Sequence, residues 1–167
     1  MNDKRTRTLT EKLWARNKYT VMAKGYEHYK EIGEALKTAH TREELLHVYD
    51  LLKETLTLPY TKKGMRTTLQ HMWGYFKKRA TSEEKELFFV IVNEHLEHSE
   101  PLTKKDIGAI QKHLVQLLKK YPSDYLAQSS FIQSYKQWNE VYDKKQVLLV
   151  SRSDYLETRE DFLPPPS

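Results

Sequence analysis

Residues 41–56 read Thr41-Arg42-Glu43-Glu44-Leu45-Leu46-His47-Val48-Tyr49-Asp50-Leu51-Leu52-Lys53-Glu54-Thr55-Leu56. Thr41 and Glu44 have capping-box spacing, in which the threonine hydroxyl accepts from the glutamate N–H and the carboxylate accepts from the threonine N–H. Leu45, Val48, Leu52 and Leu56 then recur at three- and four-residue steps, which puts one apolar stripe on a helix. Pro59 ends that helix, because a residue before proline disfavours the α region.

The same grammar extends in both directions. Upstream, Ala15, Tyr19, Met22, Tyr26, Tyr29, Gly33 and Leu36 predict a helix over 10–38, with Gly25 as a point of interruption. Downstream, Met65, Leu69, Met72 and Phe76 predict a helix over 62–79. Thr81 and Glu84 form a second capping box, opening a helix that carries Leu87, Val90 and Ile91 towards Pro101. Thr103 and Asp106 open a fifth, with Ile107, Ile110, Leu114, Leu117 and Leu118, stopped by Pro122. A sixth is predicted over 124–138. Val147–Val150 fits a short strand or a helical turn equally well, and Pro164-Pro165-Pro166 is expected to be extended. The fold class is therefore all-α: a single-domain bundle of about six helices over residues 9–138, with a C-terminal extension over 139–167.

Composition narrows the chemistry. The 167 residues contain no cysteine, which excludes thiol catalysis, disulfides and cysteine-held clusters. Only 5 glycines are present, and no GxGxxG or GxxxxGK[ST] loop occurs. The N-terminus lacks the apolar run of a signal peptide, and no stretch is long and apolar enough for a membrane span, so a soluble cytoplasmic protein is the expectation.

The net charge of +5 is unevenly spread. Residues 1–30 carry eight Lys/Arg against three Asp/Glu, and residues 60–80 carry six basic residues and no acid. Residues 81–103 carry six glutamates against one lysine. On a continuous third helix, Arg66, Gln70, Trp73 and Lys77 fall on one line and Thr67, His71, Tyr75 and Lys78 on the next, with Gly74 among them. Cations beside aromatic rings suit nucleic acid, since lysine and arginine meet phosphates and rings stack on unpaired bases. A glycine there lets a ligand or another backbone come close. The plainer account is a solvated helix face with Trp73 and Tyr75 turned into the core.

The histidines point less clearly to a site. His95 and His98 sit three residues apart near a helix end, without a third metal ligand in sight. His71 has the setting for hydrogen bonding or acid–base work, and equally for a packed structural role. His113 has no acidic residue beside it to orient it.

The block Leu69-Gln70-His71-Met72-Trp73-Gly74-Tyr75-Phe76-Lys77 resembles the LxHxxGYF(K) signature of the YbgA-like bacterial family. Arg16 and Lys18 match that family's H-[ST]-R-x-K segment, although Trp14 and Ala15 stand where the family has His and Ser/Thr. Trp73 stands in place of a Gln. Elsewhere this domain is joined to TudS-type desulfidases, which use a 4Fe-4S cluster, and is regarded as their RNA-binding part. The resemblance thus implies a cofactor-free, non-catalytic RNA-binding module, for structured RNA such as tRNA. Arg16, Lys18, His71, Gly74, Tyr75 and Lys77 are the positions it carries over, and the basic helix adds Arg66, Trp73 and Lys78. Two alternatives stand beside it: an enzyme acting on nucleotides or nucleic acid through His71, and a protein-interaction module that recruits a separately encoded desulfidase or repair enzyme through the acidic helix and C-terminal tail.

Overall fold

The structure, a computed structural model, describes residues 3–97 and 101–156. The helices are α1 (Asp3–Lys24), α2 (Tyr26–Thr38), α3 (Arg42–Thr55), α4 (Lys62–Trp73), α5 (Ser82–Leu96), α6 (Lys104–Lys120) and the one-turn α7 (Asp124–Ala127). A hairpin of β1 (Glu140–Asp143) and β2 (Gln146–Leu149) follows, then a 3-10 turn at Arg152–Asp154. Among the described residues the fold is thus all-α with one small antiparallel hairpin, and no described helix is long and apolar enough to cross a membrane. The expected positions of Pro164–Pro166 and of His98 lie outside the described residues.

Local signals set most helix starts. Thr41 and Thr81 close both capping boxes, and Thr61, Thr103 and Ser123 cap α4, α6 and α7 with their hydroxyls. At Thr81 the box extends into tertiary structure. The Glu84 carboxylate accepts from the Thr81 N–H (2.9 Å), the Tyr121 hydroxyl (2.6 Å) and the Lys120 ammonium (3.0 Å). Those donors, the Thr81 N–H foremost, hold its pKa down at about 2. Because the folded pKa lies below the unfolded value of about 4.3, the carboxylate stabilises the fold fully above that value and progressively less as pH falls toward 2. Wild type is expected to unfold at higher urea than Glu84→Gln at neutral pH, with the gap closing toward about pH 2. An unchanged gap across that range would show that the ionised carboxylate contributes nothing.

Three expected elements change once packing is included. The first helix begins at Asp3 and is split by Gly25, whose backbone is extended, so one long helix becomes α1 and α2. The third stops at Trp73 instead of continuing to Arg79. Beyond it the N–H groups of Gly74, Tyr75 and Phe76 turn back to carbonyls three residues earlier, a tighter winding that rotates Phe76 fully into the core. The sixth is cut to four residues, because the following segment is captured by α1: the Ser130 N–H donates to the Arg16 carbonyl (2.8 Å), and Thr20 and Ser130 join hydroxyls (2.7 Å). Of Val147–Val150, all but Val150 lie in strand β2, which pairs with β1 so that Asp143 faces Gln146. The two-residue turn uses Lys144 at φ 58°, a left-handed conformation without the usual Asn-Gly or Asp-Gly signal.

Helix α1 lies between two apolar clusters. Tyr19, Met22 and Ala23 enter one with α4, α5, α6 and α7, while Leu9, Leu13 and Val21 enter the other with α2, α3 and the hairpin. A helix covered on several sides need not be amphipathic, and α1 buries polar residues as well: Thr6, Thr10, Arg16, Asn17, Thr20 and Lys24. The backbones of α1 and α4 approach closely at Gly64, where a Cβ would sit 2.7 Å from the Ala23 carbonyl and 2.8 Å from that of Met22. Gly74, expected to serve this purpose, is approached by no other element; a Cβ there meets only the His71 carbonyl, at 3.0 Å.

Candidate nucleic-acid interface

Five of the eight cations over 1–30 hydrogen-bond to acceptors of the chain itself, and two of them, Arg16 and Lys24, are buried. Arg7 donates to the Ala39 and Leu36 carbonyls, satisfying the exposed end of α2. Arg5 and Lys12 converge on Asp143 of the hairpin, and Lys12 also reaches the Tyr142 carbonyl (2.8 Å). Lys24 is buried, donates to the Leu58 carbonyl and lies over the Tyr60 ring at 4.1 Å; burial lowers its pKa. Arg16 is 5% exposed. Its guanidinium donates to the Gln128 carbonyl (2.8 Å), the Gln133 side-chain oxygen (2.8 Å) and the Gln137 carbonyl (3.2 Å). The expectation that Arg16 is a surface phosphate contact is corrected: desolvated carbonyls recruit it into the wall of the fold.

The basic stretch over 60–80 divides. Trp73 is buried, stacked on Phe88 (5.3 Å between centroids) and touching Phe76 and Phe89, so it belongs to the core and does not present a stacking surface. Arg66 is exposed and donates to the Asn93 side-chain oxygen. Arg79 donates to the Tyr75 and Pro122 carbonyls. His71, Gly74, Lys77 and Lys78 are exposed, and no carboxylate is hydrogen-bonded to His71 among the described residues. Because the helix ends at Trp73, Lys77 and Lys78 do not continue the lines drawn through Arg66 and His71.

Two of the expected residues do meet. The Tyr75 ring, half-buried, stacks on the exposed ring of Tyr125 at 6.0 Å and 17°, and its hydroxyl bonds that of Tyr19 at 2.8 Å. The Lys18 ammonium lies 5.0 Å from the centre of the Tyr125 ring and 5.4 Å from that of Tyr19. Burial and the bond to Tyr75 push the Tyr19 hydroxyl well above the usual range, so it stays neutral. The group therefore consists of one lysine, two accessible stacked rings and a buried anchor, drawn from α1, α7 and the turn after α4. Lys77 and Lys78 follow Tyr75 in the chain, separated from it by the buried Phe76. Tyr19 and Tyr125 were not among the sequence candidates. Tyr19 reads as one more apolar position on a stripe, and Tyr125 lies in a different element about fifty residues away.

His95 and Asp106 bond at 2.9 Å across the α5–α6 junction, and no three metal-capable side chains gather among the described residues. His113 stacks on Phe88 at 5.9 Å, and burial lowers its pKa.

A family model for a protein of unknown function, DUF1722, matches residues 18–136. The chain belongs to the DUF1722 family. This agrees with the YbgA-like resemblance of the His71–Lys77 block. No curated protein and no solved structure matches the chain. The DUF1722 match contains the whole Lys18–Tyr19–Tyr75–Tyr125 group together with His71, Lys77 and Lys78. Arg16 and the hairpin fall outside it. Those outer parts join each other: beyond Arg5 and Lys12 on Asp143, Thr10 bonds the Tyr155 hydroxyl at 2.8 Å, and Asn17 donates to the Trp138 carbonyl at 2.9 Å, one hand of a side chain that also holds Leu13.

Proposed function

We propose that this DUF1722 chain is a non-catalytic RNA-binding module for structured RNA such as tRNA. The observation that carries the reading is the Tyr75–Tyr125 stack with Lys18 over Tyr125, with exposed Lys77 and Lys78 shortly after Tyr75 in the chain. Rings of this kind stack on unpaired bases, and the lysines release counterions from phosphates. Arg66 and His71 add exposed donors; Arg16 and Trp73 act through the fold. Gel-shift titration with total tRNA over a range of salt tests the reading. Lys77→Ala with Lys78→Ala is expected to weaken binding and to reduce the salt slope by about two. Binding that is absent, or indifferent to salt, would refute it.

A second reading rests on α5. Glu83, Glu86, Leu87, Val90 and Glu94 lie on one exposed strip, and Leu87 and Val90 are each more than half exposed. An apolar seam between glutamates suits a basic protein partner, such as a separately encoded desulfidase or repair enzyme. Pull-down of a purified candidate by wild type and by Leu87→Lys with Val90→Lys, beside a tRNA gel shift, separates the two readings. Loss of the protein partner with tRNA binding unchanged assigns α5 to protein contact; equal capture by both chains removes it.

A further inference from the structure

A groove of about 520 Å³ opens where the start of α2 meets the start of α4, lined by Tyr26, Glu27 and Lys30 on one side and by Thr61, Lys63 and Thr67 on the other. A ladder of three rings ends in it. Trp14 stacks on Tyr29 at 5.5 Å and 29°, and Tyr29 stacks on Tyr26 at 5.4 Å and 15°. Trp14 and Tyr29 are half-buried, whereas Tyr26, the outermost ring, is 43% exposed. Lys30 and Lys63 are exposed and have no carboxylate partner among the described residues. Glu27, the acidic member of the lining, is folded back over Gly25: its Oε1 lies 2.5 Å from the place a Cβ would take there, and 3.7 Å from the His28 Nε2. Two free cations thus face one acid turned aside, and α4 itself contains no acidic residue.

Helix α4 joins this groove to the Tyr75–Tyr125 group. Lys63, Thr67 and His71 are spaced by four residues, which makes them neighbours on one ridge of the helix. Lys63 and His71 are exposed and Thr67 is half-buried. The ridge starts in the groove and ends at His71, whose carbonyl accepts from Gly74 at the head of the turn that carries Tyr75. The helical rise from Lys63 to Trp73 separates the two ends by about 15 Å, the length of roughly four or five stacked nucleotides. We propose that one unpaired RNA strand runs along this ridge, with one base on Tyr26 and another on Tyr125. Lys30 and Lys63 meet its phosphates in the groove, and Lys18 meets them at the far end. The inner rings of the ladder already hold Tyr26 in place, so stacking on it orders no further side chain. The inference rests on the RNA-module reading and gives that surface a second anchor and a minimum strand length.

The test uses the full chain and end-labelled tri-adenylate and octa-adenylate RNA, read by fluorescence anisotropy over a range of salt. The octamer reaches both anchors and the trimer only one, so wild type is expected to bind the octamer at least about tenfold tighter. Tyr26→Ala, and separately Lys30→Gln with Lys63→Gln, are expected to weaken the octamer at least about fivefold and to change the trimer by no more than about twofold. All three positions are exposed, and circular dichroism checks that each variant is folded. The double lysine variant is also expected to reduce the octamer's salt slope by about 1.4, the share of two phosphate contacts on a single strand. Glu27→Gln is expected to tighten the octamer, because it removes the acid beside the strand. Octamer affinity left unchanged by both groove variants overturns the proposal, and so does equal affinity for trimer and octamer in wild type. If Lys77→Ala with Lys78→Ala weakens tRNA while the groove variants leave the octamer unchanged, the second anchor falls and the RNA-module reading stands. If wild type binds neither tRNA nor the octamer, both fall.

Discussion

Arg16→Ala is expected to lower the stability of the folded chain by roughly 3 kcal/mol, the consequence of stranding three oxygens that now share one guanidinium. Two of them are the backbone carbonyls of Gln128 and Gln137, which pin the irregular segment after α7 onto α1. No neighbouring side chain replaces five N–H donors in a planar fork. Arg16→Lys keeps the charge but offers a single point donor, so it should recover only part of the loss. Urea unfolding followed by circular dichroism measures both. Hydrogen exchange adds a local signature: the amides of Ser130, Ile132 and Gln133, bonded at or near that junction, should lose protection before those of α3. An Arg16→Ala midpoint indistinguishable from wild type would mean that the guanidinium only fills space.

Gly64→Ala is expected to cost about 2 kcal/mol, an effect of opposite origin. Here an atom is added where there is no room. The new Cβ would lie inside contact distance of two carbonyl oxygens of α1 and of the Thr61 hydroxyl that caps α4. The carbonyls are backbone and cannot rotate away, so α4 must shift along the surface of α1, loosening Met65, Leu69 and Met72. A drop in Tm of roughly 4–8 °C is the expected calorimetric result. Gly74→Ala is the control. Its backbone is already right-handed helical, so a small change of either sign within about 0.5 kcal/mol is expected. Equal losses at the two positions would show that backbone flexibility, and not the α1–α4 approach, explains both glycines.

The contrast between these glycines shows where the sequence was legible. In the sequence Gly74 stands out among aromatic and basic residues, whereas Gly64 lies in an ordinary helical run. Which glycine is needed depends on what the chain brings against it, and Ala23 is about forty residues away. Charge behaved likewise. Arg16 and Lys18 are two positions apart, yet one is sealed under carbonyls while the other rests over the accessible Tyr125 ring. Residue counts record that a cation is present and carry no information on whether its partner is water, a phosphate or a buried oxygen. Trp73 and Tyr75 diverge in the same way, since a tighter turn after Trp73 separates core from surface within two residues.

The sequence by itself determined the all-α class, the positions of the helix starts at Thr41, Thr81 and Thr103, and the apolar stripes of α3, α4 and α6, whereas on α5 the buried face is Phe88, Val92 and Leu96 and the expected Leu87 and Val90 are exposed. It could do so because a cap and its helical bonds join residues three or four apart, and so are written locally. Only the tertiary structure decided that α1 is enclosed, that the helix predicted over 124–138 is cut short, and that the aromatic group joins Lys18, Tyr75 and Tyr125. Those outcomes rest on partners as far apart as Thr10 and Tyr155. A buried polar group must find its complement wherever the folded chain supplies one, and no local pattern encodes that distance.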